Sequence, residues 1–353
     1  MKINKGQFSL SLRDKISFDY KRGQGFLLRY LKNRFIWHVC PRMHYVTKFP
    51  DHVDIEISTV CNLSCPMCYT TTDEFKKRVK CQFMSFDLFK KIIDECAEYK
   101  IYSIRLSLRG EPFMNKDVIR MIQYAHDKGI KEIATLTNAY VLTPQLFEQA
   151  MEAGLTWLTI SVDGIGETYE GIRKPAKFSD LVEKIRQYKS LKDKHNSVKP
   201  VIKIQSVWPA LRDCIEEYHN IFSPYVDNMA SNPLIDYLHN DSVSTIEYEK
   251  NFDCPQLYER LVIGSDGRVL LCSNDAMGKY ILGDVNKERI YDIWHGEKIQ
   301  KVRDLHKKHL GCKEMETCRE CFVPRKTVPV IETIGSKKIV VEKYTGRSDE
   351  VGK

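Results

Sequence analysis

The stretch that decides the fold runs from residue 53 to residue 68 and reads VDIEISTVCNLSCPMC. Its first part, Val53–Ser58, is apolar and predicts a strand. Three cysteines follow at once, Cys61, Cys65 and Cys68, with the spacing C-x3-C-x2-C. Cysteines this close can bind adjacent irons of one iron–sulfur cluster, and an iron without a cysteine stays open for another ligand. The alternative is a zinc knuckle whose fourth ligand lies elsewhere in the chain.

The composition is that of an ordinary soluble globular protein, with 42% hydrophobic and 29% charged residues in a chain of 353. No apolar run approaches the roughly 18 residues that a membrane span needs, and the N-terminus lacks a signal peptide. Twelve cysteines without a secretion signal predict a cytoplasmic location, where clustered cysteines indicate metal binding or catalysis. Hydrolase, NTPase and nicotinamide motifs are absent, and no nucleic-acid-binding module is recognisable.

Short β-rich segments alternate with helical ones after residue 53, which predicts an α/β fold with a parallel sheet. The predicted strands are Val53–Ser58, Ser103–Leu108, Glu132–Thr137, Trp157–Val162, Val201–Val207 and, more weakly, Asn228–Ile235. The predicted helices are Ser85–Tyr99, Asp117–Lys128, Pro144–Ala153, Ser179–Leu191 and Leu211–Phe222, with Ser85 and Ser179 as N-caps. Six βα units predict a partial (β/α)6 TIM-like barrel, in which reactive residues follow the carboxyl ends of the strands.

The sequence divides into four parts. A basic segment at 1–50 precedes the barrel at 51–250, and a small cysteine-rich domain is expected at 251–330. That domain contains a predicted β-hairpin, Leu261–Leu271, around an Asp-Gly turn. The remaining residues, 331–353, are expected to form a loosely attached tail.

The first 50 residues are strongly basic, with eleven Lys and Arg against Asp14 and Asp19. Aromatic and aliphatic residues such as Phe26, Leu28 and Trp37 are interleaved with these charges. One interpretation is an amphipathic helix that makes peripheral contact with an anionic membrane or a polyanionic partner. The interpretation favoured here is a helix that packs on the barrel and leaves a solvated basic face.

The second predicted strand leads into Gly110, Glu111 and Pro112. Together with the cysteine motif, this run resembles the radical S-adenosylmethionine family, which has a G-G-E-P motif here. The resemblance implies that backbone groups and the Glu111 carboxylate bind the amino group of S-adenosylmethionine. Arg109 replaces the first glycine of that motif and is a departure from the family pattern.

Two further strand ends extend the resemblance. Thr137-Asn138 is similar to the family's T-N-G, with Ala139 in place of glycine. Ser161 and Asp163 lie in an S-x-D-G run that resembles the family's ribose and carboxylate site, and Arg173 stands where related enzymes place an arginine near the cofactor carboxylate. The alternative for Ser161, Asp163 and Arg173 is ordinary capping of a strand end.

A second cysteine set lies in the C-terminal part of the chain. Cys254 and Cys272 flank the predicted hairpin with 17 residues between them, and Cys318-x2-Cys321 follows. Four cysteines make a closed tetrathiolate site, for which zinc remains an alternative. After a barrel of this family the arrangement resembles the shortened SPASM, or twitch, domain, which implies one auxiliary [4Fe-4S] cluster. Cys312 is either a spare thiol or an exchange ligand.

The resemblance implies two [4Fe-4S] clusters, S-adenosylmethionine and an electron donor such as flavodoxin or ferredoxin. One cluster, on Cys61, Cys65 and Cys68, would cleave S-adenosylmethionine to a 5′-deoxyadenosyl radical that abstracts a substrate hydrogen. The four auxiliary cysteines leave no iron open for substrate, so the second cluster is expected to accept an electron from a dehydrogenation. A non-catalytic iron–sulfur electron carrier is a third hypothesis, but such a carrier needs no nucleoside pocket.

The substrate is the least constrained part of the prediction. The spacing of the auxiliary cysteines most resembles the aminocyclitol dehydrogenase type, here the 2-deoxy-scyllo-inosamine dehydrogenases, which implies oxidation of a sugar-like or cyclitol-like alcohol. The alternative is a peptide-modifying maturase, a class that often carries an N-terminal peptide-recognition domain. Only some 50 residues precede the first predicted strand, which favours a small polar substrate, and the basic N-terminal segment would suit an anionic one.

Overall fold

The computed structural model describes residues 6–7, 12–232, 234–235, 246–334, 336–345 and 351. Twelve strands occur in these ranges. They are β1 (Gly6–Gln7), β2 (His52–Ile55), β3 (Ser103–Arg105), β4 (Glu132–Thr137), β5 (Trp157–Ser161), β6 (Val201–Val207), β7 (Asn228–Asn232), β8 (Leu261–Ile263), β9 (Arg268–Leu270), β10 (Ile281–Asp284), β11 (Thr327–Ile334) and β12 (Lys337–Tyr344).

Ten of these strands form one sheet in the order β1-β7-β6-β5-β4-β3-β2-β8-β9-β10. The six strands from β2 to β7 are parallel and consecutive in the chain, so each connection is a crossover of the βαβ kind. The predicted partial α/β barrel is therefore confirmed. The weakest predicted strand ends at Asn232, and residue 233 of its predicted range lies outside the described residues.

The described helices lie before, between and after these strands. They are α1 (Leu12–Gly23), α2 (Leu27–Val39), α3 (Asp73–Arg78), α4 (Phe86–Glu98), α5 (Val118–Asp127), α6 (Pro144–Glu152), α7 (Gly166–Ile172), α8 (Phe178–Lys194), α9 (Ile215–Phe222), α10 (Gln256–Glu259), α11 (Ile290–His295), α12 (Glu297–Lys307), α13 (Gly311–Glu314) and α14 (Glu316–Glu320). Short 3-10 helices cover Pro41–Met43, Tyr69–Thr71, Pro112–Met114 and Trp208–Ala210. None of the helices in the described ranges is long and apolar enough to cross a bilayer.

The two faces of β2 are chemically different. Val53, Ile55 and Ile57 belong to the apolar core that the helices cover. The alternate residues Asp54 and Glu56 are fully buried too, but both make ion pairs with arginines. A central parallel strand is usually apolar on both faces. Here the open barrel has a polar interior, and every buried acid on β2 has a cationic partner.

The predicted start of α4 is confirmed, because the Ser85 hydroxyl accepts a hydrogen bond from the Leu88 N–H. The predicted N-cap at Ser179 is wrong, since α8 already begins at Phe178. The Phe178 N–H donates to the Glu170 carboxylate of α7, 3.2 Å away. The Glu170 carboxylate of the preceding helix therefore caps the N-terminus of α8 in place of a serine hydroxyl.

The N-terminal helices pack against the barrel. Arg22 of α1 donates to the Glu132 carboxylate at the start of β4, with Nη2–Oε1 at 2.9 Å, and both side chains are buried. Asn33 of α2 donates to Asp51, just ahead of β2. Burial alone would raise the pKa of Glu132, but the Arg22 guanidinium outweighs it and the pKa is lowered. This part of the basic segment is thus a packed element, as the favoured interpretation predicts.

The C-terminal region shares the main sheet. β8 pairs with β2 in parallel, and β8 and β9 form the predicted antiparallel hairpin around Gly267, whose φ is +89°. The expectation of a loosely attached tail from residue 331 stays a prediction, but part of that tail is regular structure. β11 and β12 form a separate two-stranded antiparallel hairpin with eight residue pairs, and both strands are rich in β-branched residues. Residues 335, 346–350 and 352–353 of that tail lie outside the described ones.

The Arg22–Glu132 pair allows a stability prediction. Arg22→Met should lower the free energy of unfolding by about 3 kcal/mol at neutral pH, because it leaves a carboxylate buried without its cation. Burial without Arg22 raises the pKa of Glu132, so this loss should shrink as the pH falls and the carboxyl of the variant becomes protonated before that of the unmodified chain. Denaturant titration of the anaerobic protein measures both effects.

The matched control is Arg186→Met, because Arg186 is half exposed and lies 3.9 Å from an equally exposed Glu183. Surface pairs of this kind contribute about 0–1 kcal/mol. Equal losses in the two variants would contradict the importance of the buried pair.

Candidate radical SAM and iron–sulfur sites

The three-cysteine loop leaves the carboxyl end of β2 and is held by neighbours on two sides. Thr59 N–H donates to the Gln82 carbonyl at 3.0 Å, and Ser64 N–H donates to the Lys174 carbonyl at 3.3 Å. Inside the loop, Cys68 N–H donates to the Cys65 carbonyl. These hydrogen bonds fix the path of the loop backbone relative to its neighbours.

Gly110 is the point of closest approach between the β3 end and the cysteine loop. The Gly110 N–H donates to the Ser58 carbonyl at 3.2 Å, and the Glu111 N–H donates to the Val60 carbonyl at 2.8 Å. A Cβ atom on Gly110 would lie 2.5 Å from the Val60 carbonyl oxygen and 2.6 Å from the Ser58 carbonyl oxygen. Only glycine fits at this position without moving the backbone that leads into Cys61.

The Glu111 carboxylate is buried directly behind this contact. It accepts hydrogen bonds from the Thr137 hydroxyl at 2.6 Å, the Asn138 N–H at 2.8 Å and the Phe113 N–H at 3.2 Å. Burial nevertheless raises the pKa of Glu111 to about 7. A carboxylate in this state gains most from a cationic partner, because a neighbouring ammonium would restore its charge. Pro112 begins the 3-10 helix that holds this turn.

The pKa values of the Cys61 and Cys65 thiols depend on burial, on the neighbouring thiols and on Arg173. Burial raises the pKa of Cys65 to about 11, while the Arg173 guanidinium lowers it and the Cys68 thiol raises it. Burial also raises the pKa of Cys61, against a hydrogen bond from the Leu63 backbone. With their pKa raised, Cys61 and Cys65 become thiolates at neutral pH when a metal binds them. Three thiols on one loop, with a buried acid beside them, fit an iron–sulfur cluster with one open iron.

Asn138 and Ala139 lie beside the first cysteine. The Asn138 amide donates to the Asn62 side chain at 3.0 Å and lies 3.8 Å from the Cys61 sulfur. Ala139 has a φ of +60°, the left-handed conformation that glycine adopts easily. This explains why the family pattern has glycine there, although alanine is accommodated in this chain.

Asp163 and Arg173 pair with each other. The Arg173 Nε donates to the Asp163 carboxylate at 2.7 Å, and the other Asp163 oxygen accepts from the Val207 N–H at 2.9 Å. Asp163 thus links the ends of β5 and β6, which is the capping role that the sequence left as an alternative. Ser161 is buried at the last position of β5. Contacts of these three residues with a cofactor remain predictions.

The second cysteine set converges in the C-terminal region. Burial raises the pKa of Cys254 well above its usual range, and the nearby Cys272, Cys318 and Cys321 raise it further. Burial likewise raises the pKa of Cys272 to about 11 and that of Cys321 to about 12. Backbone N–H groups point at the sulfurs, as in the 3.4 Å contact from Val323 N to Cys321 Sγ. Four mutually close thiols fit a cluster ligated entirely by cysteine.

A tetrahedral zinc site and an iron–sulfur cubane both take four thiolates, so the cysteines alone allow either metal. Cys312 raises the pKa of both Cys318 and Cys321 and therefore lies at the edge of this set.

Two side chains near the cysteines were not anticipated from the sequence. His306 lies with Nε2 3.4 Å from the Cys318 sulfur, and burial lowers its pKa, so the neutral ring can donate an N–H to that sulfur. Gly311 is required beside it, because a Cβ there would lie 2.3 Å from the ring nitrogen. A lone histidine 12 residues before a cysteine has no recognisable spacing, so no local signal could have found it.

Arg109 is the second unanticipated residue. Its guanidinium makes a bidentate ion pair with Glu56, the residue that follows β2 and leads into the cysteine loop. It also donates to the Ala276 carbonyl at 3.2 Å. The same Glu56 carboxylate accepts from the Ser265 N–H at 3.1 Å. The arginine that departs from the family motif thus joins the barrel to the C-terminal region.

Comparison with known proteins agrees with this geometry. The sequence model of the radical SAM superfamily matches residues 55–201, and that of the SPASM iron–sulfur cluster-binding domain matches residues 254–322. The chain contains a radical SAM domain followed by a SPASM domain. These domains imply a [4Fe-4S] cluster that binds S-adenosylmethionine and an iron–sulfur site in the SPASM domain, and the cofactor prediction is confirmed at this level.

Among curated proteins, the chain is 26% identical to the Fe-coproporphyrin III synthase of Methanosarcina barkeri, over 65% of this chain and 57% of that protein. The chain thus spans little more than half of that relative's length. Among solved structures, BtrN in complex with AdoMet and 2-DOIA has a TM-score of 0.56 at 18% identity, covering 77% of this chain and 92% of BtrN. SuiB of Streptococcus suis, bound to its precursor peptide SuiA, has a TM-score of 0.53 at 14% identity, covering 84% and 76%. At these identities the likeness shows the fold.

The close approach at Gly110 predicts a selective loss of metal. Gly110→Ala should displace the backbone that leads into Cys61 and reduce iron at the first cluster, while the SPASM site stays loaded. Iron content should fall from about eight toward about four per chain, since each cubane holds four irons. Iron analysis and EPR of the anaerobically reconstituted protein measure this.

The control is Gly171→Ala, because Gly171 lies in α7 and a Cβ there would meet no atom within 4 Å. This variant should keep full iron content. A Gly110→Ala protein with full iron and unchanged spectra would show that the contact does not constrain the loop.

The raised pKa of Glu111 predicts a pH dependence of cofactor binding. Below about pH 7 the carboxyl is neutral, so affinity for the ammonium of S-adenosylmethionine should rise as the pH increases through about 7 and then level off. Glu111→Gln should weaken binding about tenfold or more above that pH and remove the dependence. Calorimetry of the reconstituted protein between about pH 6 and about pH 8 measures this, with the exposed Glu152→Gln as control.

Proposed function

We propose that this protein is a cytoplasmic radical SAM dehydrogenase that oxidises an alcohol of a sugar-like or cyclitol-like substrate and passes one electron to the auxiliary cluster. The observation that carries the proposal is the closed set of Cys254, Cys272, Cys318 and Cys321, which offers no place for substrate on iron. When bound, the clusters and S-adenosylmethionine supply a 5′-deoxyadenosyl radical for hydrogen abstraction and an acceptor for one electron.

The chain's own residues position and enclose the reactants. Glu111 presents a buried acceptor to the cofactor's ammonium, and the Arg173 guanidinium lies close enough to lower the pKa of Cys65. Asp163 holds Arg173 in place through its carboxylate. Arg109 and Glu56 fix the distance between the barrel and the SPASM domain. In this proposal the residues orient the cofactor and the substrate and exclude water, while the cofactors supply the chemistry.

A small cavity near both cysteine sites is lined by Tyr69, which follows Cys68 directly, and by Cys321. Its other lining residues mix polar and apolar side chains, such as Asp275 and Met277, and its volume of about 40 Å³ is smaller than a sugar-sized ligand. The small polar substrate is therefore proposed from the spacing of the auxiliary cysteines and not from this cavity. The complex of BtrN with 2-DOIA, on a similar fold, is in line with a small ligand.

A peptide-modifying maturase is the alternative, favoured by the similar fold of SuiB in complex with a precursor peptide. A non-catalytic electron carrier is disfavoured, because the buried Glu111 beside the three-cysteine loop has no purpose in a protein that binds no cofactor ammonium. The two enzymatic hypotheses share the first cluster and differ in the substrate that they turn over.

A substrate panel with cluster variants tests the proposal. The reconstituted, reduced protein should release 5′-deoxyadenosine above background with sugars or aminocyclitols and form the matching ketone. Cys61→Ala/Cys65→Ala/Cys68→Ala should abolish this release, whereas Cys318→Ala/Cys321→Ala should keep hydrogen abstraction but lower ketone formation at least tenfold. Liquid chromatography with mass spectrometry quantifies both products.

Three results would count against the proposal. Turnover of Cys- or Ser-containing peptides alone would assign the protein to the maturases. Unchanged ketone formation without Cys318 and Cys321 would remove the auxiliary cluster from the reaction. Release of 5′-deoxyadenosine by the variant lacking Cys61, Cys65 and Cys68 would reject the assignment of the first cluster.

A further inference from the structure

Exposed apolar side chains are concentrated in one short part of the chain. Fourteen large hydrophobic residues are exposed among the described ones, and nine of them lie between residues 16 and 45. We call these nine the N-terminal apolar face: Ile16, Tyr20, Phe26, Leu27, Leu28, Leu31, Phe35, Met43 and Tyr45. Single exposed apolar residues are normal on a protein surface, but a contiguous group marks an interaction site.

Helix α2 is amphipathic, but its apolar stripe faces away from the barrel. Its inner side carries aromatic and polar side chains: Tyr30 donates to Asp19, Asn33 donates to Asp51, and the Trp37 ring packs on the His52 ring. Its outer side carries Leu28, Leu31 and Phe35, which are 83%, 54% and 63% exposed and share one helical face at spacings of three and four residues. A helix packed on a protein usually turns its apolar stripe inward. This helix instead presents the stripe to its surroundings.

The apolar face is bordered by positive charge. Between residues 16 and 48 the chain has seven Lys and Arg and a single acid, Asp19, whose carboxylate already accepts from Tyr30. Lys32 and Arg42 are exposed on the flanks of the stripe. Two more lysines of the barrel, Lys131 and Lys199, lie with Nζ 4.5 Å and 5.7 Å from the Phe26 ring centroid.

The α2 part of this face lies at the opposite end of the barrel from the three-cysteine loop, whereas Met43 and Tyr45 flank His44, whose ring pairs with Asp253 next to Cys254. Arg29 of α2 donates to the Lys100 carbonyl ahead of β3, and Lys199 ahead of β6 donates to the Gln24 carbonyl. These contacts are at the amino ends of the parallel strands, whereas Cys61 and Gly110 follow their carboxyl ends. A partner on this face would leave the entrance to the cysteine loop uncovered.

We propose that the N-terminal apolar face docks on an anionic phospholipid surface, with α2 in the plane of the interface. An apolar stripe flanked by Lys and Arg is what such a surface binds, through buried apolar area and attraction to lipid phosphates. A second copy of this chain fits less well, because a two-fold contact would bring two basic faces together. The active site would then face away from the membrane.

Vesicle co-sedimentation of the full, anaerobically reconstituted chain tests the proposal. The protein should bind vesicles of mixed phosphatidylglycerol and phosphatidylcholine at least tenfold more tightly than phosphatidylcholine alone. High salt should weaken the binding, since the charges are exposed. Leu28→Gln/Leu31→Gln/Phe35→Gln should reduce binding to anionic vesicles at least tenfold, and Lys32→Glu/Arg42→Glu should reduce it severalfold.

The matched control is Val328→Gln/Ile331→Gln/Val340→Gln on the β11–β12 hairpin. These three residues are similarly exposed, at 47%, 63% and 50%, but they lie outside the N-terminal apolar face. This variant should bind vesicles as the unmodified chain does. All variants should keep full iron content, which separates docking from folding.

Two outcomes would overturn the proposal. Equal binding to neutral and anionic vesicles, or none to either, would reject an anionic surface as the occupant. A concentration-dependent dimer that disappears in Leu28→Gln/Leu31→Gln/Phe35→Gln, measured by sedimentation velocity, would assign the face to a second copy of the chain.

Discussion

The structure depends on how closely the ends of β2 and β3 approach each other. Two backbone hydrogen bonds, from Gly110 to Ser58 and from Glu111 to Val60, fasten the second strand end to the start of the cysteine loop. A side chain at position 110 would collide with those same carbonyl groups. Because the contact is made by backbone, it holds both the loop geometry and the position of the Glu111 carboxylate. The conformation of the three-cysteine loop and the position of the Glu111 carboxylate are therefore coupled through one contact.

Buried acidic side chains are the second feature on which the structure depends. Asp54, Glu56, Glu111, Glu132 and Asp163 are all almost fully buried. Four of them have arginine partners: these pairs join β2 to the end of β3 and to the SPASM region, α1 to the start of β4, and the end of β5 to the end of α7. Glu111 instead has three neutral hydrogen-bond donors and a pKa of about 7. A buried carboxylate without a cation is the natural place for a cationic ligand.

The two cysteine sites sit on one continuous sheet. β8 extends the barrel sheet beside β2, so the SPASM region is attached directly to the strand that leads into Cys61. Arg109 strengthens this attachment by contacting Glu56 on one side and the Ala276 carbonyl on the other. Such a rigid connection keeps the separation of the two sites constant.

Local sequence determined the alternation of strands and helices, the hairpin at Gly267 and the two cysteine sets, because periodicity, turn residues and close spacing act between neighbours in the chain. It also indicated Gly110 and Glu111, through a motif whose residues are adjacent. The start of α8, the hairpin at residues 327–344 and the roles of His306 and Arg109 came only from the tertiary structure. Only the fold showed that Asp163 pairs with Arg173, and that the apolar stripe of α2 points outward. Those features depend on partners that lie far apart in sequence, and a local pattern carries no information on which distant group will face a given side chain.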